Sequence, residues 1–97
     1  MKTVIVIPTY NERENVGPLA REIFRIVPEV SVLIVDDSSP DGTGEEVKQL
    51  QATYPRLHLM TRAVKDGLGN AYKAGFKKVM QDFPDTEVVM MMDADFY

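Results

Sequence analysis

Cysteine is missing from this chain of 97 residues, which rules out disulfides, thiolate nucleophiles and zinc–thiolate centres. Long apolar runs are missing too, and none approaches the ~18 residues that a membrane-spanning helix needs. The first apolar stretch, residues 3–7, is too short for the core of an export signal and stops at Pro8. There is no basic excess. The formal charge of −4 gives no general attraction to nucleic acid or to anionic lipid, so no nucleic-acid partner is expected. The glycine fingerprints of the dinucleotide fold and of the P-loop are not met either. At this length the chain forms one small domain, and the lack of cysteine suits a cytoplasmic setting.

What is present is an alternation. Residues 3–7 are apolar and β-branched, and Pro8 closes them, which reads as a strand. From about Glu14 the apolar residues Val16, Leu19, Ile23, Ile26 and Val27 fall at helical spacing until Pro28, with Pro18 tolerable only near the helix start. Residues 32–35 form a second strand. Asp41 or Thr43 can cap a second helix with Val47, Leu50 and Tyr54 facing inward, and Pro55 stops it. Residues 57–60 form a third strand, and the loop 61–67 leads to a third helix with Leu68, Tyr72, Phe76 and Val79 on one side. Gly75 inside that helix costs about 1 kcal/mol relative to alanine unless something packs closely there. Pro84 and Asp85 turn the chain into a fourth strand, residues 88–92. This βαβαβαβ order with short connections predicts an α/β fold, a Rossmann-like parallel sheet with flanking helices and right-handed crossovers.

The stretch 32–44, VLIVDDSSPDGTG, runs an apolar strand straight into Asp36 and Asp37, and the fourth strand runs likewise into Asp93-Ala94-Asp95. In open α/β sheets ligands bind outside the carboxyl ends of the strands, so two carboxylate pairs share one sheet edge. Asp93 and Asp95 stand two apart around a strand end and can turn towards one point, and their oxygens suit Mg²⁺ or Mn²⁺. A solvated turn with Asp95 as a cap is the plainer alternative; the place of the pair after an apolar strand favours the metal. Asp36 and Asp37 can serve as metal ligands or as acceptors for ribose or base hydrogens. Ser38, Ser39, Asp41 and Thr43 are expected to shape the turn and cap the helix, Gly42 to permit a tight backbone, and Asp37 to do more than that. Tyr10 offers an aromatic face for a base and Glu12 an acceptor. Around Lys65, Gly67 and Gly69 the backbone can approach a ligand, and a helix N-terminus with a lysine favours anions; a glycine-lined turn before a helix is the equal alternative. His58 reads as structural, and Met90, Met91 and Met92 as core.

Together VIVIPTYNERENV, VLIVDDSSPDGTG, KDGLGNAYKAGF and VVMMMDAD resemble, in order and over essentially the whole chain, the N-terminal half of a family 2 glycosyltransferase, and most closely the dolichyl (polyprenol) phosphate mannose synthases. The resemblance implies the nucleotide-binding half of a GT-A fold. It places Pro8, Tyr10 and Glu12 on the nucleotide, Val35 and Asp37 on base and ribose, and Asp93, Ala94 and Asp95 on a Mg²⁺ or Mn²⁺ ion and, through it, the sugar diphosphate. It implies transfer of a sugar, usually mannose from GDP-mannose, to a membrane-embedded polyprenyl phosphate with inversion, at the cytoplasmic face of a membrane. Members of the family continue past this motif with an acceptor-binding half, and some carry a further metal ligand where this chain has Tyr97. The expectation is therefore a donor half, truncated after the DxD, that binds nucleotide weakly and transfers nothing alone. Its exposed sheet edge invites a homodimer. A response-regulator receiver also ends a strand in paired acidic residues and binds Mg²⁺, with a lysine after a later strand completing its site, but here a full β-α unit precedes VLIVDD and the chain is expected to end too soon for that arrangement. A folded fragment without a ligand is the third reading.

Overall fold

The structure is a computed structural model and describes residues 2–63 and 66–94. In chain order it contains β1 (Thr3–Thr9), α1 (Arg13–Ile26), β2 (Ser31–Asp36), α2 (Thr43–Leu50), β3 (Leu57–Thr61), α3 (Leu68–Asp82) and β4 (Val88–Met91). The strands form one sheet in the order β3-β2-β1-β4, and every pairing is parallel. The α/β alternation read from the sequence is therefore the architecture, a four-stranded parallel sheet with helices on both faces.

Period-two alternation sorts the strand residues between the faces. Ile5, Ile7, Val32, Ile34 and Leu57 pack with Val16, Leu19, Ala20 and Ile23 of α1 and Val47 of α2. Val4, Val6, Leu33 and Val35 pack on the other face under Ala71 and Val79 of α3, with Tyr72, Phe76 and Phe83 around them. Gly75 lies at the tightest point of that contact. A Cβ there would sit 2.5 Å from Val6 Cγ1 and 3.1 Å from Val35 Cγ2, which explains a glycine in the middle of a helix.

The elements depart from their expected limits where tertiary contacts decide. Pro8 does not close β1; it pairs in register with Val35. Its missing N–H would face β4, whose ladder with β1 ends at the pair Val6 and Met91, so the sheet loses nothing there. The helix α2 stops at Leu50, short of Pro55, and Tyr54 stacks on Phe24 with ring centroids 5.2 Å apart. Leu68 is not in the core but exposed at the first turn of α3. Met90 and Met91 are 48% and 59% exposed, because β4 is an edge strand and α3 lies over β1 and β2. Met92 is half-buried against the α1 face. His58 packs edge-on against Phe83, 4.9 Å between centroids, and burial holds its imidazole below the usual pKa, which fits the structural role read from the sequence. Among the described residues, no helix is long and apolar enough to cross a membrane.

Candidate functional site

The chain leaves β1 through α1 towards β2, whereas the crossover through α3 returns past β1 to β4. The carboxyl ends of β1 and β4 thus flank the point where the strand order reverses, the place where open α/β sheets bind ligands. A cleft of about 380 Å³ lies there. The end of β1 supplies Pro8, Thr9, Tyr10 and Glu12, and β2 supplies Asp37. Gly67, Leu68 and Ala71 come from the start of α3, and Asp93 and Ala94 follow β4.

The adjacent carboxylates of β2 have opposite fates. Asp36 is 2% exposed and turned into the fold. Its Oδ1 accepts from the Thr9 hydroxyl at 2.7 Å and the Ser39 hydroxyl at 2.6 Å, and its Oδ2 from the Ser39 N–H at 3.0 Å. It ties the ends of β1 and β2 together. Asp37 faces the cleft and is met by Arg62, whose Nη1 lies 3.3 and 3.5 Å from the two carboxylate oxygens. Burial pushes the Asp37 carboxyl above its ordinary value; the Arg62 charge opposes that rise, and the nearby Asp66 and Asp36 add to it.

The two loops at the cleft floor brace one another. The Glu12 N–H donates to Thr43 Oγ1 at 3.0 Å and the Arg13 N–H to Asp41 Oδ2 at 3.1 Å. Asp41 also accepts from the Thr43 N–H at 3.0 Å, so it caps α2 from just outside Gly42, the N-cap residue at φ 90°. For Asp41 the effect of burial is outweighed by these hydrogen bonds from Thr43 and Arg13, which hold its carboxyl below the usual range. Glu12 is the N-cap of α1, and its Oε2 accepts from Asn15 at 2.7 Å. Asn11 and Ser38, one in each loop, have positive φ of 57° and 52°, a conformation that few side chains adopt without cost.

Of the residues singled out in the sequence, Pro8, Tyr10, Glu12, Asp37, Gly67, Asp93 and Ala94 line this one cleft. Val35 does not. Its side chain is fully buried under α3, leaving its backbone alone near the site. Lys65 and Asp95, and with them half of the DxD, lie outside the described residues. Sequence reasoning missed Arg62 and Tyr72. The Tyr72 phenol donates to Asp93 Oδ1 at 3.1 Å; burial first, then Asp93, raises its pKa, so it stays a donor. Arg62 follows directly on β3 just as Asp37 follows β2, a positional signal that was there to use.

Among the described residues no three His, Asp or Glu side chains gather as a metal cage. Asp93 nonetheless suits a hard cation. It is an exposed carboxylate at the cleft, oriented by a phenol, and Mg²⁺-type ions commonly take one or two carboxylates and draw their other ligands from water and substrate phosphates.

The chain is 44% identical over 95 residues to a polyprenol monophosphomannose synthase of Mycolicibacterium smegmatis, covering 97% of this chain and 35% of that protein. It is 38% identical over 97 residues to a dolichol-phosphate mannosyltransferase of Pyrococcus furiosus, covering 98% and 26%. It thus spans between a quarter and about a third of the length of these curated relatives. Among solved structures it superposes on the mannosyltransferase PcManGT of Pyrobaculum calidifontis, determined in complex with GDP-Man and Mn²⁺, with a TM-score of 0.82 and 26% identity over 97% of this chain and 27% of that one. The family model described as Glycosyl transferase family 2 matches residues 4–97. The chain belongs to glycosyl transferase family 2.

Proposed function

We propose that this chain is the donor-binding part of a mannosyltransferase that passes mannose from GDP-mannose to a polyprenyl phosphate, with Mg²⁺ or Mn²⁺ in the site. The observation that carries the reading is the convergence of Tyr10, Glu12, Asp37 and Asp93 on one cleft at the strand-order reversal. Likeness to polyprenol- and dolichol-phosphate mannosyltransferases, and to a structure holding GDP-Man and Mn²⁺, supports the choice of sugar, acceptor and ion.

Each part of the cleft has chemistry suited to a sugar nucleotide. Tyr10, 39% exposed, presents a ring to the base, and the shielded Asp37 carboxylate accepts from base or ribose donors. Gly67 lets the backbone come close to the ligand, and α3 points its N-terminus at the same space, which favours a diphosphate. Asp93 and Asp95 would hold the ion, with Tyr72 keeping Asp93 in place. The ion supplies electrostatic stabilisation of the charge that grows on the departing diphosphate. The acceptor phosphate is already anionic, so no residue is assigned as a general base.

On this reading the chain alone binds nucleotide weakly and does not complete transfer, and the whole protein acts at the cytoplasmic face of a membrane. The bare edge of β4 can pair two copies into a homodimer. Calorimetric titration of GDP, UDP and their mannose or glucose conjugates, with and without Mn²⁺, tests the donor site. The expected result is Mn²⁺-dependent binding of GDP and GDP-mannose that Asp93→Ala abolishes. Binding that ignores both metal and substitution overturns the proposal.

A further inference from the structure

We propose that Arg62 is the positioning residue of the base subsite. Bridging Asp37 and Asp66, it fixes the carboxylate that reads the nucleobase and ties it to the turn that opens α3. This rests on the reading of Asp37 as a nucleotide acceptor.

The bridge is built from both backbone and side chain. The Arg62 N–H donates to the Asp36 carbonyl at 2.8 Å, and the Arg62 carbonyl accepts from the Ser38 hydroxyl, so the residue is held to the end of β2 on both counts. Its guanidinium, 13% exposed, reaches Asp37 with Nη1 and Asp66 with Nη2. Asp37 and Asp66 belong to different segments, the end of β2 and the entrance to α3, and one planar fork serves both. Solvent-exposed ion pairs contribute little, but the Asp37 side chain is only 8% exposed, and a shielded carboxylate without its partner would be strongly disfavoured.

The contact also leaves capacity for a ligand. A carboxylate offers about four acceptor positions, and Arg62 approaches Asp37 through one nitrogen at 3.3 and 3.5 Å, long for charged partners. Lone pairs therefore remain for the N–H donors of a base. A base arriving there meets a carboxylate whose charge and direction are already set, which spares the binding step the cost of ordering it. Lysine cannot replace this, because a single ammonium on a flexible stem does not span two carboxylates as a fork does. The charged groups around Asp37 are Arg62, Asp66 and Asp36, and among them Arg62 alone favours the ionised form.

The test is calorimetric titration of GDP with Mn²⁺ into the chain and its Arg62→Gln, Arg62→Lys, Asp37→Asn and Arg62→Gln/Asp37→Asn variants between pH 5 and 8. Arg62→Gln is expected to weaken binding on the order of ten- to a hundredfold, the value of a hydrogen bond to a charged group, and to move the acid-side loss of binding to higher pH. Arg62→Lys should restore the pH profile without restoring full affinity, and it keeps the test alive if the glutamine variant does not fold. The double variant should bind no more weakly than Asp37→Asn alone, since Arg62 acts through Asp37. Unchanged affinity in Arg62→Gln, or losses that multiply in the double variant, overturns the proposal. If the unsubstituted chain binds no GDP, the donor-site reading falls, and the carboxyl ¹³C titration of Asp37 decides the role of Arg62 by itself. A higher midpoint in Arg62→Gln sustains the bridge, and an unmoved one refutes it.

Discussion

At the scale of single residues, neighbouring carboxylates have opposite surroundings, Asp36 turned into the fold and Asp37 towards the cleft. Asp36 accepts three hydrogen bonds while nearly inaccessible. Asp36→Ala strands the Thr9 and Ser39 donors and is expected to cost about 3 kcal/mol, a fall in Tm on the order of 10 °C or more for a domain of this size. Asp37 behaves in the opposite sense. Its folded carboxyl pKa lies above the ordinary 3.8 because of burial, so the folded state holds the proton more tightly than the unfolded one. The stability lost to this group therefore grows as pH rises from about 3.8 and is complete once the pH has passed the raised folded pKa. Asp37→Asn should thus leave Tm at pH 7 unchanged or higher while weakening nucleotide binding measurably, and paired melting and titration curves check both. The place of Asp37 at the cleft was legible in the sequence as a carboxylate directly after a buried strand. That Asp36 is structural was not, because alternation around a strand end says nothing about which side chain meets Thr9 and Ser39. Arg62 stayed hidden because its partners come from two other segments.

At the scale of elements, apolar runs and prolines were enough to find all seven, and packing set their limits. Helix α3 shows why. Propensity alone makes Gly75→Ala a gain of about 1 kcal/mol, but the added methyl would stand 2.5 Å from Val6 and 3.1 Å from Val35. Overpacking of that kind costs about 1–3 kcal/mol, so Gly75→Ala is expected to destabilise, read as a lower urea midpoint with an unchanged slope. The strand β4 is the opposite case, an element with too little against it. The apolar run read as core is a half-covered edge, with Val89, Met90 and Met91 exposed beside a groove of Ile5, Leu19, Ile23 and Ile26. Such an edge invites another strand. Sedimentation should show self-association that rises with concentration, and Met91→Lys should shift the chain towards monomer.

At the scale of the whole molecule, the strand alternation foretold a parallel sheet, and the site residues gathered because the strand order reverses between β1 and β4. That reversal is not written in any one segment, and neither periodicity nor the motifs gave a strand order; it is seen only in the sheet. A ligand bound across the reversal stabilises the entire fold by mass action. With GDP and Mn²⁺ at a hundred times the dissociation constant the gain is about 2.7 kcal/mol, visible as a rise in Tm that Asp93→Ala removes. The same layout governs time as well as place. Strand β1 is made first, yet Thr3 pairs with Val88 and Val6 with Met91, so one side of the sheet's interior stays bare until β4 emerges. At ribosomal rates, residues 36 to 88 take roughly 3 to 10 s to synthesise. Throughout that interval a nascent chain carries, as a free edge, the strand that later lies at the middle of its sheet.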